Sequence, residues 1–442
     1  MGNHIYAGAE WIGSVPEHWK FYKGKFIFGE SNEKGNANNL ELLSPTQKYG
    51  VIPQTLYEQY TTLRTVKIKE DTDLNTFKTV HKGNFCISLR SFQGGFEYSE
   101  YEGVVSPAYH ILYSRRLICD GYYKYLFKEQ SFIAEMNSYC QTLRDGKNIS
   151  YSDFGKTLIP YPPINEQQAI ANYLDDRCSK IDSIIAEAKA SIEEYKELKQ
   201  AVIHEAVTKG LDKNVEMKDS GVEWVEKIPN NWHIVKITRI LDKEHPYAIG
   251  DGDHGSIKTE QYRDSGIPFI RVQNLGWGTA LNMDNVVYIS EEDNKQIQNS
   301  TLRPNDILFA KTGATIGKTA IMPEEIPIAN TTSHVGKISI SKEHNSRYIF
   351  YVLSSQIGYR QFWDIAIQKT TRPELSIEET KSIKVVLPAD KTIEDSIVNY
   401  LDEKIPVFDD MINTKASLIE DLEAYKKSLI YEVVTGKRKV VA

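Results

Sequence analysis

Cysteine is scarce. The 442 residues hold four, Cys86, Cys119, Cys140 and Cys178, none in CxxC spacing. That argues against a structural zinc site or a disulfide framework and fits a reducing, cytoplasmic setting. No apolar run approaches the roughly 20 residues that cross a bilayer. The opening Met1-Gly2-Asn3-His4 lacks the basic-then-apolar pattern of a signal peptide, so no membrane partner is expected. An excess of basic charge, the usual mark of a nucleic-acid binder, is also missing, since the net charge is −7. The acidity is uneven. Residues 1–157 carry 18 Lys+Arg against 17 Asp+Glu, and 211–384 carry 21 against 23, whereas 165–210 carry 6 against 9 and 385–442 carry 8 against 11. Phosphate neutralisation by this chain alone would be modest.

Catalytic motifs are missing too. Gly313-Ala314-Thr315-Ile316-Gly317-Lys318-Thr319 approaches a phosphate loop but has three residues between its glycines where the backbone cradle needs four. Asp212 with Glu216-Met217-Lys218 looks like part of a nuclease metal site, but it lies in a polar link with its acids too close in sequence. Tyr161-Pro162-Pro163 lacks the preceding Asn or Asp of an amino-methyltransferase. The ten histidines show no metal-binding spacing. No catalytic residue, metal ligand or cofactor site is assigned, which favours a binding subunit over an enzyme.

What is present is a duplication. Ile170, Asn172-Tyr173-Leu174-Asp175, Ile185, Lys199 and Ile203 return at one constant offset as Ile397, Asn399-Tyr400-Leu401-Asp402, Ile412, Lys426 and Ile430. Gly8, Glu10-Trp11, Pro16 and Trp19 return, at a second and shorter offset, as Gly221, Glu223-Trp224, Pro229 and Trp232. The two halves share a plan around middles of different length. Each half ends in a long helical block with a heptad seam: Leu174, Ile181, Ile185, Ile192 and Tyr195 in the first, Leu401, Phe408, Ile412, Ile419 and Leu422 in the second. Lys199 and Lys426 interrupt the seams at equivalent places, and Pro406 is expected to kink the second helix or mark its start. Two matching seams most simply bury against each other, and sequence leaves parallel and antiparallel packing open. At about 1.5 Å per residue, some 40 residues span about 60 Å.

The variable blocks read as mixed α and β. Strands are expected at residues 84–90, 108–112, 267–275, 306–310, 320–322 and 335–340, and helices over about 122–139 and 347–362. In both blocks a polar, glycine-containing, cation-bearing loop follows a central strand, and a second follows the helix. Glycine permits close backbone approach, and Arg, Lys, Asn and Gln suit phosphates and base edges. For any single loop an ordinary solvated turn is the better reading; the matched placement in both halves is what favours binding.

Several ordered segments then carry a resemblance that covers nearly the whole chain. They are the two openings Gly8 to Trp19 and Gly221 to Trp232, the tract from Lys209 to Gly221, Ser88 to Gly95 with Ser106-Pro107-Ala108-Tyr109, and Pro162-Pro163-Ile164-Asn165-Glu166-Gln167. The chain resembles the specificity subunits of type I restriction–modification systems. Pro388-Ala389-Asp390-Lys391-Thr392-Ile393-Glu394-Asp395 departs from the usual Pro-Pro and Glu-Gln pattern, which puts the start of the second helix in question. The resemblance implies an α+β protein with two target recognition domains, 1–157 and 211–385. Two spacer helices, 158–210 and 386–442, would pack as an antiparallel coiled coil with a pseudo-two-fold repeat. It implies double-stranded DNA, two methylation subunits and restriction (motor) subunits as partners, with S-adenosylmethionine and ATP held by those partners. Each domain would read one half of a split, asymmetric site. Competing readings are a specificity subunit of another restriction class and a two-domain protein-binding scaffold.

On this reading the expected DNA contacts are Arg90, Ser91, Gln93, Gly94, Arg144 and Lys147 in the first domain. In the second they are Arg271, Gln273, Asn274, Lys311, Thr312, Lys318, Lys369 and Arg372. Glutamines and arginines suit base edges; lysines suit phosphate. Arg90→Ala is expected to cost about 1–3 kcal/mol of binding and relax one position of one half-site. Affinity measured across mutated duplexes checks this, and an equal loss on every sequence would remove the base-reading role.

Overall fold

The computed structural model describes residues 4–6, 8–34, 40–61, 74–87, 95–139, 149–278, 280–367 and 373–440. It divides into two units, Met1–Lys189 with Ser417–Ala442, and Ala190–Ala416. In the first, the strands central to the fold are β1 (Lys20–Lys23), β2 (Phe28–Ser31), β3 (Phe85–Ile87), β4 (Phe96–Tyr98), β5 (His110–Ser114) and β6 (Leu158–Tyr161). Four form an antiparallel sheet in the order β2-β5-β3-β4, and Leu112 faces both Glu30 and Phe85 across it. β1 pairs with β6, Lys23 opposite Leu158, so the first and last of these strands close the block. Phe127 sits among Phe28, Phe85, Phe96 and Phe132 at ring separations of 5.1–5.4 Å, a close-packed aromatic core. Where sequence suggested one helix there are two, α1 (Asp120–Leu126) and α2 (Gln130–Ser138). The break falls at Glu129, whose carboxylate accepts from the backbone N–H groups of Ser131 (2.8 Å) and Phe132 (3.1 Å) and so starts a new helix. The long helix α3 (Ile164–Lys209) follows and ends at Gly210, at φ 76°.

The second unit repeats the plan. Its strands include β7 (His233–Lys236), β8 (Ile249–Asp251), β9 (Ile267–Ile270), β10 (Ile307–Ala310), β11 (Thr319–Ile321), β12 (Val335–Ile338) and β13 (Lys384–Leu387). The four-stranded order is β8-β12-β10-β11, the same connectivity as before, and β7 pairs with β13 to close the block. The expected helix is again two, α4 (Ser346–Ser354) and α5 (Gln356–Ala366), split at Ser355, whose hydroxyl accepts from Ile357 N–H. β9 stops at Ile270 instead of running to Leu275, because the Asn274 side chain accepts from Arg271 N–H (2.9 Å) and winds the chain into a short turn. The second long helix, α6 (Lys391–Val434), starts at Asp390, whose carboxylate takes the N–H groups of Thr392 and Ile393. Pro406 lies inside this helix and does not mark its start.

Each unit contains the beginning of one long helix and the end of the other. In the first, Ile170, Leu174, Ile181 and Ile185 share a core with Leu429, Val433 and Val434. In the second, Ile203, Ala206 and Val207 share one with Ile397, Leu401 and Ile405. The paired stretches run antiparallel. The seam lysines find aspartates across the pair: Lys426 Nζ lies 2.6 Å from Asp182 in the first unit, and Lys199 Nζ 2.6 Å from Asp409 in the second. The helix ends are capped alike as well. Tyr122 donates its hydroxyl to the Val434 carbonyl (2.8 Å), and Tyr348 donates to the Val207 carbonyl (3.3 Å). The remaining seam residues, Ile192, Tyr195, Phe408, Ile412, Ile419 and Leu422, are only partly buried. Leu174→Ala and Leu401→Ala, which remove fully buried side chains, should each cost about 2–5 kcal/mol in denaturant unfolding. Phe408→Ala and Leu422→Ala should cost distinctly less, because their rings and methyls already meet water.

Candidate nucleic-acid interface

In the second block the glycine segment after β10 meets both the segment after β9 and the chain beyond α5. The segment after β9 and the glycine segment after β10 are joined by Thr319 N–H on the Gly276 carbonyl (2.9 Å). The chain beyond α5 joins them through Gly313 N–H on the Pro373 carbonyl (3.0 Å) and Leu375 N–H on the Lys311 carbonyl (2.8 Å). Gly313 and Gly317, at φ 64° and 93°, take left-handed turns that side-chain-bearing residues adopt poorly. The glycine segment runs from strand β10 into strand β11, whereas a phosphate loop runs from a strand into a helix.

Eight of the expected contacts, Arg90, Ser91, Gln93, Gly94, Arg144, Lys147, Lys369 and Arg372, lie outside the described residues. The other six divide. Gln273 is exposed, and Lys318 is half-exposed with no ion-pair partner among the described residues. Arg271 is half-buried: its guanidinium donates to the Asn285 carbonyl (2.7 Å) and lies 5.9 Å from the Tyr262 ring centre. Asn274 is buried, accepting from Arg271 N–H and donating to the Asn282 carbonyl (2.9 Å). Thr312 is hydrogen-bonded to His334 (3.1 Å). Lys311, only 6% exposed, pairs with the buried Asp251 carboxylate and stands 3.7 Å from Glu374. A buried cation needs such partners, because leaving it unpaired costs several kcal/mol. Of these six, Asn274, Lys311 and Thr312 are buried and hold the loops together, Gln273 is exposed, and Lys318 and Arg271 are partly exposed. Sequence reasoning passed over Trp277 and Tyr359, 49% and 42% exposed at the same place. The flanking glycines of Gly276-Trp277-Gly278 were the available signal.

A cleft of about 1040 Å³ in the same unit is lined by His245, Arg303, Asp306, Arg347 and Asp402 among others, and its rim reaches Gly278. Groove reading inserts a protein element into DNA, and a cleft of this size cannot take a duplex, so the converging loops are the better candidate. Beneath the cleft, burial and the nearby Lys337 and Arg303 charges push the His245 imidazole down to about 4. Burial also pushes Lys337 down to about 8 and raises the Asp306 carboxyl. Among the described residues no group of three His, Cys, Asp or Glu side chains could hold a metal ion, and no helix is long and apolar enough to cross a membrane.

Two copies of one mixed sheet-and-helix unit, each built on paired stretches of long helix, define a protein with an internal structural repeat. The family model for the type I restriction modification DNA specificity domain matches residues 16–194 and 229–423, and the chain belongs to that family. It is 24% identical over 348 residues to the type I restriction enzyme MjaVIII specificity subunit of Methanocaldococcus jannaschii, covering 77% of this chain and 75% of that one. It is 31% identical over 250 residues to the EcoBI specificity subunit of Escherichia coli, covering 55% and 50%. In fold it is similar to a chain from a structure addressing complex assembly and conformational transition of the type I restriction–modification system (TM-score 0.69, 13% identity, 96% of this chain and 99% of that one). It is also similar to the HsdS subunit from Thermoanaerobacter tengcongensis (TM-score 0.51, 14% identity, 96% and 98%).

Lys311→Ala leaves the Asp251 carboxylate buried without its cation and should destabilise the second unit by about 3–5 kcal/mol. Gln273→Ala and Lys318→Ala should change stability by less than about 0.5 kcal/mol. Unfolding curves of the three variants check this division. His245 is held neutral in the folded chain, so the unfolded chain takes up its proton first as pH falls. Stability should therefore decline between about pH 6.5 and about 4. His245→Asn should flatten that part of a stability-against-pH profile.

Proposed function

We propose that this chain reads a split, asymmetric DNA site, with residues 1–157 recognising one half and residues 211–385 the other. The reading rests on one observation above others: the same strand connectivity and closing pair recur in both units, while the loop sequences mounted on them differ. Equal frames with unequal loops suit two unlike half-sites. The spacer helices 158–210 and 386–442 would fix the gap between them; a helix of this length spans more than the roughly 34 Å of one DNA turn.

In this proposal the chain itself is not catalytic. Two methylation subunits carrying S-adenosylmethionine modify adenine N6 at the site it selects, and ATP-driven restriction subunits cut. The near-neutral variable blocks fit a recognition subunit that leaves much of the phosphate clamping to its partners.

The test is to coexpress the chain with its methylation partner in a host lacking other adenine methyltransferases and map N6-methyladenine across the genome. A single motif of two unlike halves around a fixed gap is expected. Exchanging residues 211–385 for the corresponding domain of a relative should change one half and leave the other and the gap intact. A soluble complex that methylates nothing would overturn the proposal in favour of a protein-binding scaffold.

A further inference from the structure

Large aromatic side chains normally bury their rings, because leaving them in water forfeits the transfer free energy of their apolar surface. In the second unit three stand together at the surface. The Trp277 and Tyr359 ring centres are 5.8 Å apart, edge to face, and Tyr359 stacks on Trp363 at 6.4 Å with 13° between the planes. Both Trp277 and Tyr359 remain nearly half exposed.

This array is held in place. Thr319 N–H binds the Gly276 carbonyl beside Trp277, and Trp277 itself bridges to Thr319. Tyr359 and Trp363 lie one helical turn apart on α5, on one face. Gly317 lets the two segments close: a Cβ there would collide with the Tyr359 ring and meet Trp277 at 3.4 Å. Next to Gly317 is Lys318, the half-exposed cation with no ion-pair partner among the described residues. Arg360, by contrast, is matched by Asp364 at 3.6 Å.

We propose that Trp277 and Tyr359, backed by Trp363, are a contact for duplex DNA, their rings against deoxyribose and base edges and Lys318 on the neighbouring phosphate. This rests on the reading of the second unit as a DNA-recognition domain and adds to it residues of a different kind. Exposed rings fixed beside a cation that has no ion-pair partner among the described residues complement a polyanion with apolar sugar and base surfaces. A rigid aromatic also adds contact area at low entropic cost, since its rotamer is already fixed.

The experiment uses the full chain in complex with its methylation partner and a duplex carrying the mapped site. Trp277→Ala and Tyr359→Ala should each weaken binding to that duplex about 10- to 100-fold, in the range of losing one well-packed aromatic contact at an interface, and Trp277→Phe should restore most of it. Melting temperature and co-elution with the partner should be unchanged, because both side chains are half solvated. Binding by both alanine variants at the wild-type level overturns the proposal. So does failure of those variants to co-elute with the partner, which would make the face a protein-docking surface. A wild-type complex with no preference for the mapped site would instead bring down the DNA-recognition reading, and this proposal with it. Melting temperatures separate a binding defect from misfolding, and the Trp277→Phe variant provides a second check.

Discussion

A stripe of apolar side chains on a 46-residue helix must be covered along its length, and neither long helix can cover its own. The start of α3 packs with the end of α6 in the first unit, and the start of α6 with the end of α3 in the second. This exchange ties the last residues of the chain to its first block. Lys437, just past α6, donates to the Ile12 carbonyl (3.1 Å), and Gly436 closes against Pro16 and Trp19. A chain built this way cannot complete the first unit until its C-terminal residues exist.

The polar groups of the seam follow the same exchange. Asp182 and Asp409 occupy equivalent positions of the repeat, as do Lys199 and Lys426, so the two ion pairs are one interaction used twice. Their environments differ: Lys199 is buried, whereas Lys426 keeps contact with water. The first turns of the helices show a similar economy. Gln167 accepts from Cys119 N–H (2.9 Å) at the start of α1. Glu394, its counterpart in the repeat, accepts from Asn345 N–H (2.6 Å) at the start of α4. The second helix departs from the Glu-Gln pattern of the first, yet the acceptor is kept, and an acceptor is what the following helix start requires.

The parts legible in the sequence were those written in periodic or repeated positions. The seam residues and the repeated positions of the two halves follow from spacing alone, because burial on one face imposes a period. The unreadable parts depended on partners distant in sequence. Lys311 looked like a free cation until Asp251, from a different strand far back in the chain, was found against it. Asn274 was expected among the DNA contacts, and nothing local in the sequence shows that its amide holds the turn. The helix breaks at Glu129 and Ser355 were in principle readable, since each is a capping residue inside an apolar pattern. Lys199 and Lys426 stood out as interruptions of the seam, but nothing local named the aspartates that answer them.

The burial of Lys311 bears on how the second unit could meet DNA. With that lysine committed to Asp251, and Arg271 to the Asn285 carbonyl, the described part of the converging loops offers Lys318 as its outward cation. One phosphate contact contributes a salt dependence of only about one power of ionic strength. The described part of this surface is poor in charge, so the discrimination it supplies has to come from shape, hydrogen bonding and apolar contact, and Gln273 and the exposed rings are the groups placed to supply it. The low net charge of the variable blocks is then consistent with sequence recognition: the electrostatic hold common to all DNA can come from partner subunits, while the loops supply what differs from one site to the next.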